Sequence, residues 1–272
     1  MRTLAIDGGT LAFADQGEDA DAVALVLLHG LGLDHTIWDP LMPRLSVARC
    51  VVRPDVRGHG RSAVTPGPYL MEGLAADVAS IADALGLERI ALAGHSMGGH
   101  IALAFYRMFR ERVAGLALIA CGVRADSPES ASERLELAAR AEREGIAPLV
   151  DAFAPALFAP AVYRDDPALA ARTRSLLERT HPSGAAAALR GMAMRLDSED
   201  LLDEIDIPLA AAAGTEDAFV DPSAIAESVS RVRGGAYESL EGSGHMPMLE
   251  APHGLESVLE RFLERVDAHA AS

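Results

Sequence analysis

The 272-residue chain contains no lysine. Every permanently charged basic side chain is therefore an arginine, and chemistry that needs a lysine amine to form a Schiff base is excluded. Positive charge is scarce altogether, with 24 basic residues against 40 acidic ones and a formal net charge of −16. Nucleic-acid phosphates would be repelled by such a chain unless it carried a dense basic patch, and the sequence has none, so no nucleic-acid partner is expected. Long hydrophobic runs are missing too. No segment approaches the roughly 18 apolar residues of a membrane helix. The opening "MRTLAIDGGTLAFADQGEDAD" has neither a basic start with a long apolar stretch nor a cleavage pattern. Together these features predict no membrane partner and a cytoplasmic location. Cysteine is limited to Cys50 and Cys121, both in apolar strand-like runs, which read as small buried thiols rather than a disulfide or a nucleophile. There is no H-E-x-x-H pair and no clustered Cys/His set, so neither a metal nor a cofactor is expected.

What is present is apolar material, half of the composition, enough for a substantial core. It is distributed in short continuous runs bounded by turn residues. "ALVLLHG" (24–30), "CVVRPD" (50–55), "RIALAG" (89–94), "GLALIA" (115–120) and "PLAAAAG" (208–214) read as strands buried on both faces, because a one-sided strand would alternate. Between them, "MEGLAADVASIADALG" (71–86) and "HIALAFYRMF" (100–109) carry the three- and four-residue spacing of helices. Strand, helix and strand in repetition predict an α/β protein with a mostly parallel sheet flanked by helices. "TLAI" and "TLAFAD", separated by Asp7, Gly8 and Gly9, predict a hairpin at the sheet edge.

From about Arg124 to Leu202 the strand signal disappears. "ASERLELAARAEREG", "AVYRDDPALAARTRSLLERTHP" and "SGAAAALRGMAMRL" read as helices punctuated by prolines. Strands resume near Pro208, and those on either side need one another to complete a sheet. The expected organisation is a core of residues 1–123 and 203–272 interrupted by a helical cap, 124–202.

Chemistry concentrates at the end of "RIALAG". Gly94-His95-Ser96-Met97-Gly98 fits G-x-S-x-G between a predicted strand and a predicted helix, the setting of a nucleophile elbow. A strand turning directly into a helix strains its central residue and leaves no room for side chains two positions to either side. A tight turn with a capping serine is the plainer reading of the pentapeptide alone. Serine is a weak nucleophile, so it needs a base and the base an orienting carboxylate. These should follow in the order acid, then histidine, on loops after later strands. Asp217 follows "PLAAAAG", and His245 sits in the glycine-flanked "GSGH" after the strand-like "AYESLEG". Asp126 is the rival acid, and Asp221 before Pro222 suits a helix cap better. Two backbone donors are needed for an oxyanion, and the N–H groups of Met97 and of Leu31, in "HGLG", are the candidates. His181, His253 and His269 read as turn or surface residues.

"LVLLHGLG", "DVRGHGRS", "GHSMGG", "GTEDAFVD" and "GSGHMPMLEAP" together resemble the α/β-hydrolase superfamily over almost the whole chain. The chain is most similar to small bacterial esterases, cofactor-free haloperoxidase-type hydrolases and 3-oxoadipate enol-lactonases, the last also through "TIWDP" and "PGPY". That resemblance implies the α/β-hydrolase fold with its inserted cap, and a scaffold role for "DVRGHGRS". In this segment Asp55 and Arg57 are expected to satisfy backbone groups.

The expected pocket lies between cap and Ser96, with Leu31, Met97 and Met246 meeting Phe153, Leu157, Phe158, Met192 and Met194. Met246, Phe158 and Met194 are the candidate substrate contacts. The expected activity is hydrolysis of a carboxylic ester of a small or medium, mainly apolar substrate through an acyl-enzyme. Two alternatives stay open: an enol-lactone or carbon–carbon substrate on the same three residues, and a small-molecule binding protein without turnover. A carboxylate on the substrate, met by Arg190 or Arg195, is also left open, and the oligomeric state is not readable.

Overall fold

The computed structural model describes residues 1–17 and 22–271. Strands β1 (Arg2–Ile6), β2 (Gly9–Gln16), β3 (Ala24–Leu28), β4 (Val51–Pro54), β5 (Ile90–His95), β6 (Val113–Ile119), β7 (Leu209–Gly214) and β8 (Ala236–Leu240) form one sheet. Their spatial order is β1-β2-β4-β3-β5-β6-β7-β8. The hairpin β1–β2 turns at Asp7-Gly8 and β2 runs antiparallel to β4, while every other pair is parallel. Strands β3, β5, β6 and β7 are buried at every residue, as continuous apolar runs in a parallel sheet covered on both faces must be. Four consecutive alanines in β7 favour helix by propensity. Here β6 and β8 supply ladder partners on both edges, and that tertiary pairing overrides the local preference.

Helices α1 (Met42–Leu45), α2 (Met71–Ala84) and α3 (Met97–Met108) accompany the first half of the sheet. Between β6 and β7 come α4 (Pro128–Glu144), α5 (Ala147–Phe153), α6 (Pro160–Asp165), α7 (Pro167–Arg179), α8 (Pro182–Ala193) and α9 (Glu199–Leu202). This is the inserted helical region, held together by α4 packed along α8, with α5 against α4 and α7. The chain then adds α10 (Pro222–Ser230), α11 (Pro247–Glu250) and α12 (Pro252–Ala270). Helix α12 lies so close over β6 that a side chain at Gly115 would start 2.5 Å from Val266 Cγ2.

The prolines of this region mark where its helices begin. Residues 161–182 divide at Pro167, which has no N–H to donate into a preceding turn, and Asp166 caps a new helix, accepting from Leu169 N. Pro148 sits in the first turn of α5, where a missing N–H costs nothing. Among the described residues no helix is long and apolar enough to cross a membrane.

The loops leaving β3 and β4 are tied together by Asp55, whose side chain is fully buried. It accepts from His35 N at 3.0 Å, from the His35 ring at 2.7 Å and from Arg61 N at 2.9 Å. Arg57 departs from the expected role: it grips Asp77 of α2 with Nε at 2.8 Å and Nη2 at 2.5 Å. Asp34, His35 and Asp55 bring three potential metal-ligand atoms within 4.8 Å of one another. Both carboxylates already accept N–H donors there, Asp34 from Thr36 N at the start of the 3-10 turn His35–Leu41.

Burial alone would favour the neutral acid at Asp55, but the bond from His35, the neighbouring His29 and the two backbone donors hold its carboxyl down to about 2, against 3.8 when unperturbed. A depressed carboxyl stabilises the fold above its unfolded value and loses that contribution as pH falls through the folded value. Asp55 should therefore contribute about 2 kcal/mol near neutrality, lost between about pH 4 and pH 2. Urea unfolding across this range should show a shallower acid limb in Asp55→Asn than in the parent; superimposable limbs would contradict the assignment.

Candidate active site

Ser96 joins β5 directly to α3 with φ 52° and ψ −117°, a left-handed conformation for a residue with a side chain. Such a residue carries roughly 1–3 kcal/mol of strain. Space around it is minimal. A Cβ at Gly94 would lie 2.2 Å from Gly98 O, and one at Gly98 would lie 2.3 Å from Leu28 O, so only glycine fits at either position. The strained residue is held by Ser96 N donating to Ile119 O at 2.9 Å. Ser96 and Ala120, at φ 47°, are the two non-glycine residues at positive φ among those described, and both line one cavity of about 250 Å³.

His245 lines the same cavity. Its Nδ1 lies 2.8 Å from Asp217 Oδ2 and 3.0 Å from Oδ1, which leaves Nε2 as the ring nitrogen free of the acid. The Asp217 side chain is fully buried, and its Oδ1 also accepts Phe219 N at 2.8 Å and Val220 N at 3.2 Å, fixing the carboxylate. The three candidate side chains from distant parts of the chain thus meet as an acid–imidazole pair and a serine around one space. Asp126, the rival acid, is instead taken by Arg134 Nε at 2.6 Å and Arg195 Nη1 at 2.7 Å. Asp221 caps α10 through Ser223 N.

Leu31 and Met97 both line the cavity. Met97 is the first residue of α3, where an N–H has no acceptor within the helix and the helix dipole is positive. The Leu31 loop is pinned by His29. Gly30 O can only accept and Val56 N–H can only donate, so His29 carries its proton on Nδ1, bonding Gly30 O at 2.8 Å and receiving Val56 N at Nε2 at 2.9 Å. Complete burial lowers the pKa of His29 and keeps the ring neutral.

Sequence reasoning missed two further supports. His95 donates from Nε2 to His245 O at 2.8 Å, tying the elbow to the histidine loop, and burial holds its pKa well below normal. Glu250 accepts from Gly244 N at 2.9 Å and Met246 N at 3.0 Å, the amides on either side of His245, and from Ala159 N of the cap at 2.8 Å. Burial pushes the Glu250 carboxyl above its usual value, with these donors pulling it back. Cap residue Leu157 in turn accepts His245 N at 3.0 Å. Both residues lie inside quoted motifs, but no local pattern indicates that the Ala159 amide, 91 residues away, will reach Glu250.

The expected lining is met by Leu31, Met97, Phe153 and Met192, and corrected at Leu157 and at the three candidate substrate contacts, none of which lines the cavity. Met246 is fully buried in the core beside α11, Phe158 is buried edge-on to Tyr163, and Met194 is exposed at the C-terminus of α8. Phe219 stacks on Phe153 at 5.3 Å and lies 4.8 Å from the His245 ring, forming an aromatic wall no motif indicated. Cys121 also lines the cavity, but burial pushes its thiol up to about 12, so it is not a thiolate nucleophile.

A model described as the alpha/beta hydrolase family matches residues 25–258. A thermophilic esterase from Thermogutta terrifontis superposes with a TM-score of 0.92 and 35% identity over 97% of each chain. The enol-lactonase of Burkholderia xenovorans gives a TM-score of 0.89 and 29% identity over 97% of this chain and all of that one. In sequence, 3-oxoadipate enol-lactonase 2 of Acinetobacter baylyi is 26% identical over 267 residues, covering 96% of this chain and 97% of that protein.

Glu250→Gln keeps the shape of the clamp but replaces one acceptor oxygen by an amide donor facing backbone N–H groups. Stranding a buried donor costs roughly 1–3 kcal/mol, and denaturant unfolding should report a loss of that size. A variant as stable as the parent would show that the clamp is dispensable.

Proposed function

Because the chain belongs to the alpha/beta hydrolase family, we propose that it is a serine hydrolase cleaving carboxylic esters of small or medium, mainly apolar substrates through an acyl-enzyme. The observation that carries this reading is the strained Ser96 sharing a cavity with an imidazole whose Nδ1 is held 2.8 Å from a buried carboxylate. In the proposed cycle Ser96 Oγ attacks the substrate carbonyl while His245 Nε2 takes its proton, and Asp217 stabilises the imidazolium. The N–H groups of Leu31 and Met97 receive the oxyanion. The leaving alcohol takes the proton from His245. Water then enters and attacks the acyl carbon as His245 takes its proton, and the bond from the acyl carbon to Ser96 Oγ breaks as His245 passes that proton to Oγ, releasing the acid. Residues 124–202 act as the cap over this site, and the core is 1–123 with 203–272.

A cavity of about 250 Å³ is smaller than the roughly 300–1,000 Å³ that takes drug-sized ligands, which supports a small substrate. Its wall of Leu31, Met97, Val123, Phe153, Met192 and Ile225 supports an apolar body. A second reading keeps the same residues and takes an enol-lactone, favoured by the likeness to two enol-lactonases over nearly the full chain.

The parent should turn over p-nitrophenyl butyrate. Ser96→Ala should lower kcat/KM by about a thousandfold or more with the fold retained by circular dichroism, and Asp217→Asn should lower it by a similar order. Parent-like turnover in folded Ser96→Ala would sink the mechanism. Side-by-side rates on the ester and on 3-oxoadipate enol-lactone separate the two readings.

A further inference from the structure

Charge around the cavity is unevenly balanced. Arg134, Arg195 and Asp126 all line it, and the two arginines share the single carboxylate. Of the other charged residues on the wall, Arg124 pairs with Glu199 at 2.8 Å and His245 is matched by Asp217, while Asp221 is a second carboxylate, turned to capping α10 and not ion-paired with the cluster. The cluster of Arg134, Arg195 and Asp126 taken by itself is one negative charge short, in a chain whose overall charge is strongly negative. Arg195 and Asp126 form a buried pair, 8% and 7% exposed, and the surplus cation Arg134 lies half-buried beside them at 28%. A half-buried cation left without a carboxylate of its own is only partly solvated and attracts an anion that enters the cavity.

The hydrogen bonds of Arg195 show the same deficit. Nη1 donates to Met192 O at 3.0 Å besides meeting Asp126, and Nη2 donates to Arg124 O at 3.1 Å. Its Nε–H is buried and has no acceptor among the described residues. Buried donors are nearly always satisfied, so a stranded one on the wall of a cavity points to a group that arrives with the ligand. The field of the cluster is also felt by His100, which lines the cavity one turn beyond Ser96: burial first, then Arg195 and Arg134, hold it down to about 3. Arg190, the other arginine considered for such a role, forms a two-pronged pair with Glu142 and does not line the cavity.

We infer that Arg195 and Arg134, bridged by Asp126, form an anion subsite, so that the ester or lactone cleaved at Ser96 carries a free carboxylate. This rests on the reading of Ser96 as the nucleophile. A single surplus positive charge suits a monoanion, and the planar guanidinium suits a carboxylate. The apolar wall then holds the body of the substrate, with the carboxylate at the arginine end.

The test compares esters that differ in one charge. Mono-p-nitrophenyl glutarate is paired with its methyl ester for a carboxylate on the acid part, and 4-acetoxybenzoate with methyl 4-acetoxybenzoate for one on the alcohol part, each corrected for spontaneous hydrolysis. In at least one pair the parent should favour the anion in kcat/KM by about tenfold or more, the scale of a charge-assisted hydrogen bond. Arg134→Gln removes the surplus charge yet leaves Asp126 paired, and should lower that ratio about tenfold. Asp126→Asn adds a unit of surplus charge and should raise it. If Asp126→Asn does not fold, Arg134→Gln carries the comparison alone. Parent ratios of one or less in both pairs, or ratios that Arg134→Gln leaves unmoved, overturn the proposal.

If no ester is hydrolysed, the nucleophile reading has failed, and calorimetric titration of the parent with glutarate still reads the subsite. Binding that weakens about tenfold or more in Arg134→Gln supports the subsite; no binding, or equal binding, overturns it.

Discussion

The backbone at Ser96 is the constraint on which the site depends. A left-handed residue with a side chain persists only where its surroundings over-determine it. Here they do so with backbone rather than with side chains: Leu28 O, Gly98 O and Ile119 O press on the turn from β3, α3 and β6. Those strands are buried at every position, so the contacts cannot relax by moving into solvent. The sheet interior and the hydroxyl at the cavity wall are thus one device. Losing a methylene from the strands below would be felt at the elbow, because closely packed interiors transmit small volume changes.

The histidine loop is held differently, by polar groups drawn from both parts of the fold. His95 fastens it to the elbow, Asp217 to the end of β7, and Glu250 to its own flanking amides. The remaining restraints come from the cap, through Leu157 O accepting from His245 N and Ala159 N donating to Glu250. Cap and imidazole are therefore mechanically joined. A displacement of residues 157–159 would shift the proposed base relative to the serine, which the core strands hold in place.

Most of this architecture is legible in the sequence because it follows from local patterns. Continuous apolar runs gave the buried strands, the G-x-S-x-G spacing located the elbow, and the order of Asp217 and His245 after their strands located the acid–imidazole pair. Legibility ends where long-range closure decides. Phe158 and Met194 look alike as cap hydrophobes, but one is packed into the core against Tyr163 and the other lies at the surface, a difference set by how α6 and α8 come to rest. His95 and Glu250 occupy recognisable motifs, but their roles depend on backbone groups that only the folded chain brings to them. Asp126 shows the reverse: it stands after a strand as a triad acid would, and tertiary packing surrounds it with arginines.

The absence of lysine bears on that last cluster. A lysine buried beside the cavity would lower its desolvation cost by releasing its proton, and the wall would become neutral. Arginine does not have that escape at accessible pH. A site built from Arg195 and Arg134 therefore keeps its positive charge whether or not an anion is present, and the cost falls on the empty state. Neighbouring His100 takes the neutral form instead, with its pKa held down to about 3. The arginine cluster thus fixes charge at the cavity as the elbow fixes geometry, and neither has to be assembled when a molecule enters.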